Sequence, residues 1–393
     1  MKFDESQLNA IDKAVEGKLT LITGGAGCGK TTIIKAIADQ LDRHGEQVAI
    51  AAFAGKAAAR IREATGYEAS TIHRLLRWQG EQFALPDLNG VTVIIDEASM
   101  VDSKLMAEIM KRKPRRLVLV GDEAQLPPVG SGQPFHDLIR LKPNLVANLT
   151  TCYRATEAIF RAATLIRNGQ QPVREETTAQ EHWLMTYAAG DKEVDAAILS
   201  MVRCGDLDCE KDIILAPRNG DEATGSAAVA PLNAKIAEIV NPRQPGDPKI
   251  IPGDRVICTK NNPELDIWNG TTATVMAKDN SGRMQIRTDT EIIGKNGEKT
   301  RDCDVPADFS KNFQLAYALT VHKSQGSQYR KVIVIVLQRD AYALLSRPLI
   351  YTAVTRAKRE CHVIGELRTF ANAIMQQTNI QTILQQFARI HQH

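Results

Sequence analysis

The sequence predicts an α/β protein built on parallel sheets, with two α/β domains and a small β-rich body inserted in the second. Three observations carry this. Short apolar runs at 19–23, 48–52, 91–95 and 117–120 alternate with stretches of helical periodicity, the rhythm of β-α-β units. From about residue 236 that rhythm breaks: Pro242, Pro245, Pro248 and Pro252 crowd together, and short strand-like stretches follow, separated by Asn-Gly and Ser-Gly turns. At 313–337 the α/β character returns and ends in the apolar run 332–337. The expected domains are 1–147, 148–239 with 313–393, and the β-barrel insert 240–312.

The first strand leads directly into the most informative stretch, LTLITGGAGCGKTT at 19–32. Gly24 and then Gly29-Lys30-Thr31 fit the GxxxxGK[ST] phosphate loop, with a strand before it and an amphipathic helix after it. The loop Gly25, Ala26, Gly27, Cys28 and Gly29 lets backbone N–H groups turn toward phosphate oxygens, and the helix N-terminus at Lys30, Thr31 and Thr32 adds its positive dipole end. Lys30 is expected to reach the β- and γ-phosphates, and the Thr31 hydroxyl to ligate Mg²⁺, with ATP or GTP as ligand. Upstream, residues 4–17 form an amphipathic helix stopped by Gly17. Its Gln7 is either a solvated polar residue or an amide that pairs with an adenine edge.

After the strand at 48–52, FAGKAAARIREATG reads as a helix whose basic first turns, with Lys56, either face solvent or hold a phosphate. In STIHRLL, 70–76, Ser70 or Thr71 is the expected N-cap. Residues 77–90 interrupt the rhythm; Trp78 and Phe83 flank Gln79-Gly80 and suggest a small β-hairpin or a surface loop with two aromatic anchors. Asp96 and Glu97 stand at the C-terminal end of the strand 91–95, where ligands bind in open parallel sheets. Such a pair fits hydrolysis: Asp96 to hold Mg²⁺ through water, Glu97 to orient and deprotonate the attacking water. The run KRKPRR, 111–116, is either a solvated face or a nucleic-acid surface. Gln125, in GDEAQLPPVGSG, leaves another strand tip and could sense the γ-phosphate.

Further on, 145–155 holds Arg154 after a short apolar run, 156–205 reads mostly as helix, and a second strand series is expected to start at 213–217. Thr320, His322, Lys323, Ser324 and Gln325 form a polar cluster before the strand 332–337. Residues 349–365 read as a helix and then a strand, with Tyr351, Thr355 and Arg356 on related faces, and the Gln-rich tail 366–393 as helix. The net charge of +3 leaves any nucleic-acid surface to a local groove. Seven scattered cysteines without a CxxC argue against a disulfide framework or zinc site and fit a reducing cytosol, as does the polar N-terminus.

In this order the motifs resemble superfamily 1 helicases of the RecD/Dda-like, 5′-to-3′ group: Gln7, GGAGCGKTT, FAGKAAARI, STIHRLL, DEASM, GDEAQLPPVGSG, CYRA, GDRV…WNG, YALTVHKSQGS and YTAVTRAKR. The resemblance implies two RecA-like domains with ATP between them, an SH3-like fold for the insert, and a strand-separating pin at 77–90 with Phe83 or Trp78 as the wedge. It implies that Gln7 reads adenine, that Gln125 senses the γ-phosphate, and that Arg154 and Arg356 are arginine fingers. Gln328 stands where a nucleotide-contacting Glu is common. Single-stranded DNA would meet Lys56, Thr71, His73, Thr320, His322 and Lys323, with Phe53 or Tyr351 available for stacking. Phe53-Ala54 replaces the usual Pro-Thr, which removes one hydroxyl contact to phosphate, and Ala155 stands where many members have Gln. The implied protein is a stand-alone, monomeric 5′-to-3′ DNA helicase of a bacterial or phage-infected cytosol, working on single strands and fork junctions with ATP and Mg²⁺, with replication or recombination proteins as partners. The alternative is a nucleic-acid-stimulated ATPase that displaces proteins, or acts as a switch, without processive unwinding; an ordered 77–90 hairpin discriminates the two.

Overall fold

The structure, a computed structural model, describes residues 3–151, 153, 157–220, 227–294, 298–340 and 344–376. The chain divides near residue 155 into two compact units.

The first unit is a six-stranded sheet of β1 (Leu19–Gly24), β2 (Gln47–Ala52), β3 (Ala69–Thr71), β4 (Val91–Asp96), β5 (Arg116–Gly121) and β6 (Val146–Leu149). The order is β3-β2-β4-β5-β1-β6, and every pairing is parallel. The strands are continuous apolar runs because helices cover both faces. On one face, Ile22, Ile50, Ile94 and Val118 pack with Ile33, Ile37 and Leu41 of the helix Lys30–Arg43. On the other, Leu21, Ile95 and Leu119 pack with Leu105 and Ile109 of the helix Ser103–Lys111. Each fully buried aliphatic side chain contributes roughly 1.5–3 kcal/mol. With all strands parallel, the ends of β1, β4 and β5 emerge at one edge, and the register Thr23↔Gly121 and Ile95↔Leu119 keeps them level.

In the second unit the predicted helical stretch 156–205 needs correction. Helices Ala158–Arg167 and Gly190–Arg203 enclose two strands, β7 (Glu175–Thr177) and β8 (His182–Tyr187). HWLMTY carries a period-2 pattern, with Trp183 and Met185 buried. Its parallel partner lies far away in sequence, with Trp183 opposite Cys361 and Thr186 opposite Ile364. The strand series therefore starts before β9 (Ile213–Ala216).

The insert contributes β10 (Arg255–Cys258), β11 (Thr272–Lys278), β12 (Met284–Ile293), β13 (Lys299–Val305) and β14 (Phe313–Leu315), an antiparallel sheet in the order β13-β12-β11-β10-β14. The glycines of the predicted turns, Gly270 and Gly282, adopt positive φ. Then β15 (Ala318–Thr320), β16 (Tyr329–Val336) and β17 (Ala357–Gly365) complete the larger sheet, β15-β9-β16-β17-β8-β7, parallel except for β7. The passage between the two sheets is fixed by buried polar groups. Asn233 Oδ1 accepts from the N–H groups of Tyr317 and Ala318, each at 2.8 Å, and the Tyr317 hydroxyl donates to fully buried Asp254 at 3.0 Å. A helix Leu367–Met375 follows β17; the rest of the predicted helical tail lies outside the described residues. Among the described residues no helix is long and apolar enough to cross a membrane.

Candidate nucleotide and nucleic-acid site

Glycines Gly27 and Gly29 take φ of 80° and 78°, and the helix Lys30–Arg43 begins on Gly29 with no side-chain cap. The N–H groups of its first turn are thus available to an acceptor from outside. Lys30 Nζ donates to the carbonyls of Gly24 at 2.8 Å and Gly25 at 2.9 Å, so the ammonium already lies in the mouth of the loop.

Gln7 is buried at the start of the helix Glu5–Glu16, where it forms a capping box with Asp4. Its Nε2 is 3.5 Å from the Cys28 carbonyl, and a Cβ built on Gly29 would come within 3.0 Å of the same nitrogen. Tyr153 completes this corner. Its hydroxyl is 2.8 Å from Gln7 Oε1 and 3.0 Å from Asp4 Oδ2, while the residue stays 59% exposed. Hydrogen bonds from Ser6, the Gln7 N–H and Tyr153 outweigh partial burial and bring the Asp4 carboxyl down to about 2. Tyr153 was not among the expected site residues; its expected neighbour Arg154 lies outside the described residues. Its place directly before an arginine after β6 was the available signal. Between the helices Glu5–Glu16 and Lys30–Arg43 opens a largely apolar groove of about 510 Å³, bordered by Phe3, Leu8, Ile11, Thr31, Thr32 and Lys35.

At the tip of β4, Asp96 and Glu97 differ in backbone and environment. Desolvation, reinforced by the charge of Glu97, pushes the Asp96 carboxyl up to about 6 against the pull of the Glu97 N–H, Lys30 and Arg60. The Glu97 N–H donates to Asp96 Oδ1 at 2.9 Å. Glu97 has φ 52°, a left-handed conformation uncommon for a non-glycine residue and typical of functional strand tips. Gln125 is buried one turn after β5, with its N–H bonded to the Asp122 carbonyl at 3.1 Å. The hydroxyls of Thr23 and Ser99, buried beside the same edge, have no hydrogen-bond partner among the described residues.

Of the residues expected on nucleic acid in this unit, Phe53 packs partly into the core, Lys56 is on the first turn of the helix Gly55–Thr65, and Thr71 caps the helix Ile72–Leu75 by accepting from the Arg74 N–H at 3.2 Å. His73, Trp78 and Phe83 form one aromatic cluster, with the Trp78 and Phe83 rings 4.5 Å apart. The expected hairpin is a tight turn closed by the Trp78↔Phe83 bridge and by backbone bonds from the Gln79 N–H to the Gln82 carbonyl and from the Ala84 N–H to the Arg77 carbonyl; Trp78 is 40% exposed and Phe83 half-buried against the core. The basic run 111–116 is largely turned to acidic partners: Lys111 and Arg112 pair with Glu108, and Arg115 and Arg116 with Glu46.

In the second unit, Thr320, His322 and Lys323 stay together at the end of β15; the Thr320 hydroxyl accepts from the Lys323 N–H at 3.3 Å, and burial lowers both the His322 and Lys323 pKa values. Arg356 is nearly buried. Its Nε donates to the Thr352 carbonyl at 3.1 Å and its Nη1 to the Ser327 carbonyl at 3.4 Å, beside half-buried Gln328. Tyr351 corrects an expectation. It is 2% exposed, because the helix Arg347–Val354 is buried from Leu349 onward, so the ring packs the core and is not open to a base.

A phosphate loop after a central parallel strand, with a carboxylate pair at the tip of a second strand in the same sheet, defines a P-loop nucleotide-binding domain. Comparisons with known proteins agree. The AAA domain family matches residues 2–188, and the UvrD-like helicase C-terminal domain matches 315–364. The ATP-dependent RecD2 DNA helicase of Deinococcus radiodurans is 32% identical over 399 residues, which cover 98% of this chain and 52% of that protein. The RecBCD enzyme subunit RecD of Mycobacterium tuberculosis is 32% identical, with 95% of this chain and 71% of its own length covered. The chain thus spans about half the length of the Deinococcus relative. Among solved structures, a Pif1 helicase from work on unwinding at forked dsDNA by two coordinating Pif1 helicases superposes with a TM-score of 0.59 at 20% identity, covering 100% and 98% of the two chains. Pif1 helicase from Candida albicans gives 0.55 at 19% identity, covering 99% of each. At these identities the likeness is one of fold. The chain belongs to the RecD-like family of superfamily 1 helicases.

Proposed function

We propose that this chain is an ATP-dependent 5′-to-3′ DNA helicase that moves on single-stranded DNA and opens the duplex at a fork. The observation that carries the reading is one edge of one sheet: Lys30 in the mouth of a glycine loop, and Asp96 and left-handed Glu97 on a strand two places away. In this reading Lys30 and the loop N–H groups of 25–31 bind the phosphates, Gln7 and Tyr153 hold the adenine edge, and the groove beside Thr31 and Thr32 has room for a nucleoside. Glu97 takes the proton of the attacking water and Gln125 orients it. Arg356, with Arg154, neutralises charge on the transferred phosphoryl group. Thr31 and Asp96 supply the oxygen donors that suit Mg²⁺, which neutralises phosphate charge when bound. The hydroxyls of Thr23 and Ser99, without a partner among the described residues, are consistent with an edge that expects further polar groups.

DNA phosphates would meet Lys56, Thr71, His73, Thr320, His322 and Lys323, most of them without regard to sequence. The Trp78–Phe83 turn is the strand separator, exposed Trp78 being the better placed of its two rings to meet a base pair. The antiparallel insert is SH3-like, and the working domains are 1–147, 148–239 with 313–393, and 240–312, in a monomer of the cytosol. The test is ATP hydrolysis and strand displacement measured together on duplexes with a 5′ or a 3′ single-stranded tail. Unwinding from the 5′ tail alone supports the proposal. Unwinding from the 3′ tail alone refutes the polarity. DNA-stimulated hydrolysis without unwinding favours a protein-displacing translocase or switch.

A further inference from the structure

The basic run 111–116 hides one residue whose side chain does something neither a solvated face nor a phosphate contact requires. Arg112 is only 7% exposed, and its guanidinium reaches into the segment that follows the Trp78–Phe83 turn. Nη2 donates to the Phe83 carbonyl at 3.0 Å and Nε to the Leu85 carbonyl at 2.9 Å. Nη1 donates to the Glu108 carbonyl at 2.6 Å and to Glu108 Oε2 at 2.8 Å. The guanidinium also lies 5.7 Å from the centre of the Phe83 ring, and the Arg112 carbonyl accepts from the Leu88 N–H at 2.7 Å. Within itself the turn has the Trp78–Phe83 bridge and the backbone bonds from the Gln79 N–H to the Gln82 carbonyl at 2.9 Å and from the Ala84 N–H to the Arg77 carbonyl at 3.0 Å, fewer than a hairpin needs to keep its place alone in water; a buried charge forked onto the Phe83 and Leu85 carbonyls ties it to the helix Ser103–Lys111.

Arg112 ends the helix Ser103–Lys111. The other end of that helix is tied to the loop that follows Gln125. The Ser103 N–H donates to the Ser131 carbonyl at 3.0 Å, and the loop's Gly130 and Gly132 sit so close to Asp102 and Ser103 that an added Cβ would fall 2.0 Å from each side chain. One short helix therefore carries, at its two ends, the loop beside the nucleotide edge and the clamp on the aromatic turn.

We propose that Arg112 is a positioning residue for strand separation: it fixes the Trp78–Phe83 turn to the helix Ser103–Lys111, so that the turn is held as one rigid piece with the nucleotide-binding edge. This rests on the reading of the turn as the strand separator. A lysine keeps the charge and can still pair with Glu108, but it has no fork to span the Phe83 and Leu85 carbonyls.

The experiment compares the wild type with Arg112→Ala, Arg112→Lys and Phe83→Ala. Three quantities are read: unwinding of a 5′-tailed fork, ATP hydrolysis stimulated by single-stranded DNA, and acrylamide quenching of Trp78. Quenching is taken as the difference from a matched Trp78→Phe protein, since Trp183 and Trp268 are buried. Arg112→Ala and Arg112→Lys are expected to cut unwinding about tenfold or more, since a misplaced working group is costly. Both should leave stimulated hydrolysis within about twofold and raise Trp78 quenching by about half or more as the turn loosens. Wild-type quenching or wild-type unwinding in Arg112→Ala overturns the inference, and so does full recovery in Arg112→Lys, which would assign the effect to charge alone. If Phe83→Ala and Trp78→Phe also unwind normally, the strand-separator reading falls and takes this inference with it; normal unwinding in the Arg112 variants alone leaves that reading standing. Should Arg112→Ala not fold, Arg112→Lys, which keeps the charge and loses the fork, is read alone, and unchanged quenching and unwinding there overturn the inference equally.

Discussion

The Tyr153 hydroxyl lies 2.8 Å from Oε1 of Gln7, and it is this contact that fixes which way the Gln7 amide faces. With Oε1 engaged by the phenol and by the Asp4 N–H at 3.3 Å, Nε2 is turned toward the Cys28 carbonyl and the phosphate loop. An amide held in one orientation discriminates a base edge better than a free one. Tyr153→Phe removes this hydrogen bond, worth about 0.5–1.5 kcal/mol. The expected outcome is a KM for ATP raised about two- to tenfold, with kcat little changed and a weaker preference for ATP over GTP. Steady-state kinetics with both nucleotides checks it, and an unchanged KM and preference would show that the amide does not read the base.

Glu97 holds φ 52° at the end of β4, and that strain is retained next to Asp96, whose carboxyl burial pushes up to about 6. Glu97→Gln keeps the shape and removes the base. Single-turnover hydrolysis should fall about 10²- to 10⁴-fold, the range general-base catalysis supplies, while equilibrium binding of a fluorescent ATP analogue stays close to wild type. Lys30→Ala should instead weaken binding as well as hydrolysis, because Lys30 touches the loop carbonyls that line the phosphate position. Equal loss of binding in both variants would contradict the division of labour between loop and strand tip.

Much of this edge was legible in the sequence because its signals are local. The glycine spacing, the Lys-Thr pair and the apolar run ending in Asp96-Glu97 each fall within a dozen residues, and secondary structure follows from them directly. The strand β8 was missed because HWLMTY gains its partner from β17, some 180 residues later, and no local pattern records that pairing. Arg112 was hidden in a basic run for a related reason. Composition marks charge, while the carbonyls of Phe83 and Leu85 that consume it belong to another segment. Tyr351 misled in the opposite direction, since its helix is buried on every side from Leu349 to Val354.

Arg356 presents a different test, because its guanidinium is held by carbonyls of its own unit, Thr352 and Ser327. Such a side chain is preorganised, which a transition-state contact requires, but it also has structural work. Arg356→Ala is expected to lower DNA-stimulated hydrolysis by about 10³-fold or more, the scale of an arginine finger, with nucleotide binding kept. Arg356→Lys should not restore it, since a lysine cannot hold both carbonyls and present a planar donor. A parallel melting curve separates the two roles. Loss of hydrolysis together with a large fall in Tm would assign Arg356 to the fold.

His362 makes stability of the second unit depend on pH in a definite direction. Its Nε2 is 2.7 Å from the Thr186 hydroxyl on the neighbouring strand β8, and burial, with help from Lys331 and His182, lowers its pKa to about 4. In the unfolded chain an imidazole takes its proton near pH 6.5. Between these values the unfolded state binds one proton more than the folded state, so stability rises with pH across this window. Above pH 6.5 the histidine is neutral in both states and contributes no pH dependence. As pH falls from 6.5 to 4 stability is lost, and below 4 the loss is complete, amounting to about 3 kcal/mol at most for a shift of this size, less for the part of the ring that water still screens. His362→Asn should therefore unfold with a flatter dependence on pH between 6.5 and 4.5 than the wild type, whatever its stability at neutral pH. Urea unfolding followed through the fluorescence of Trp183, buried in β8, reads the difference, and parallel slopes for the two proteins would show that His362 is not the titrating group.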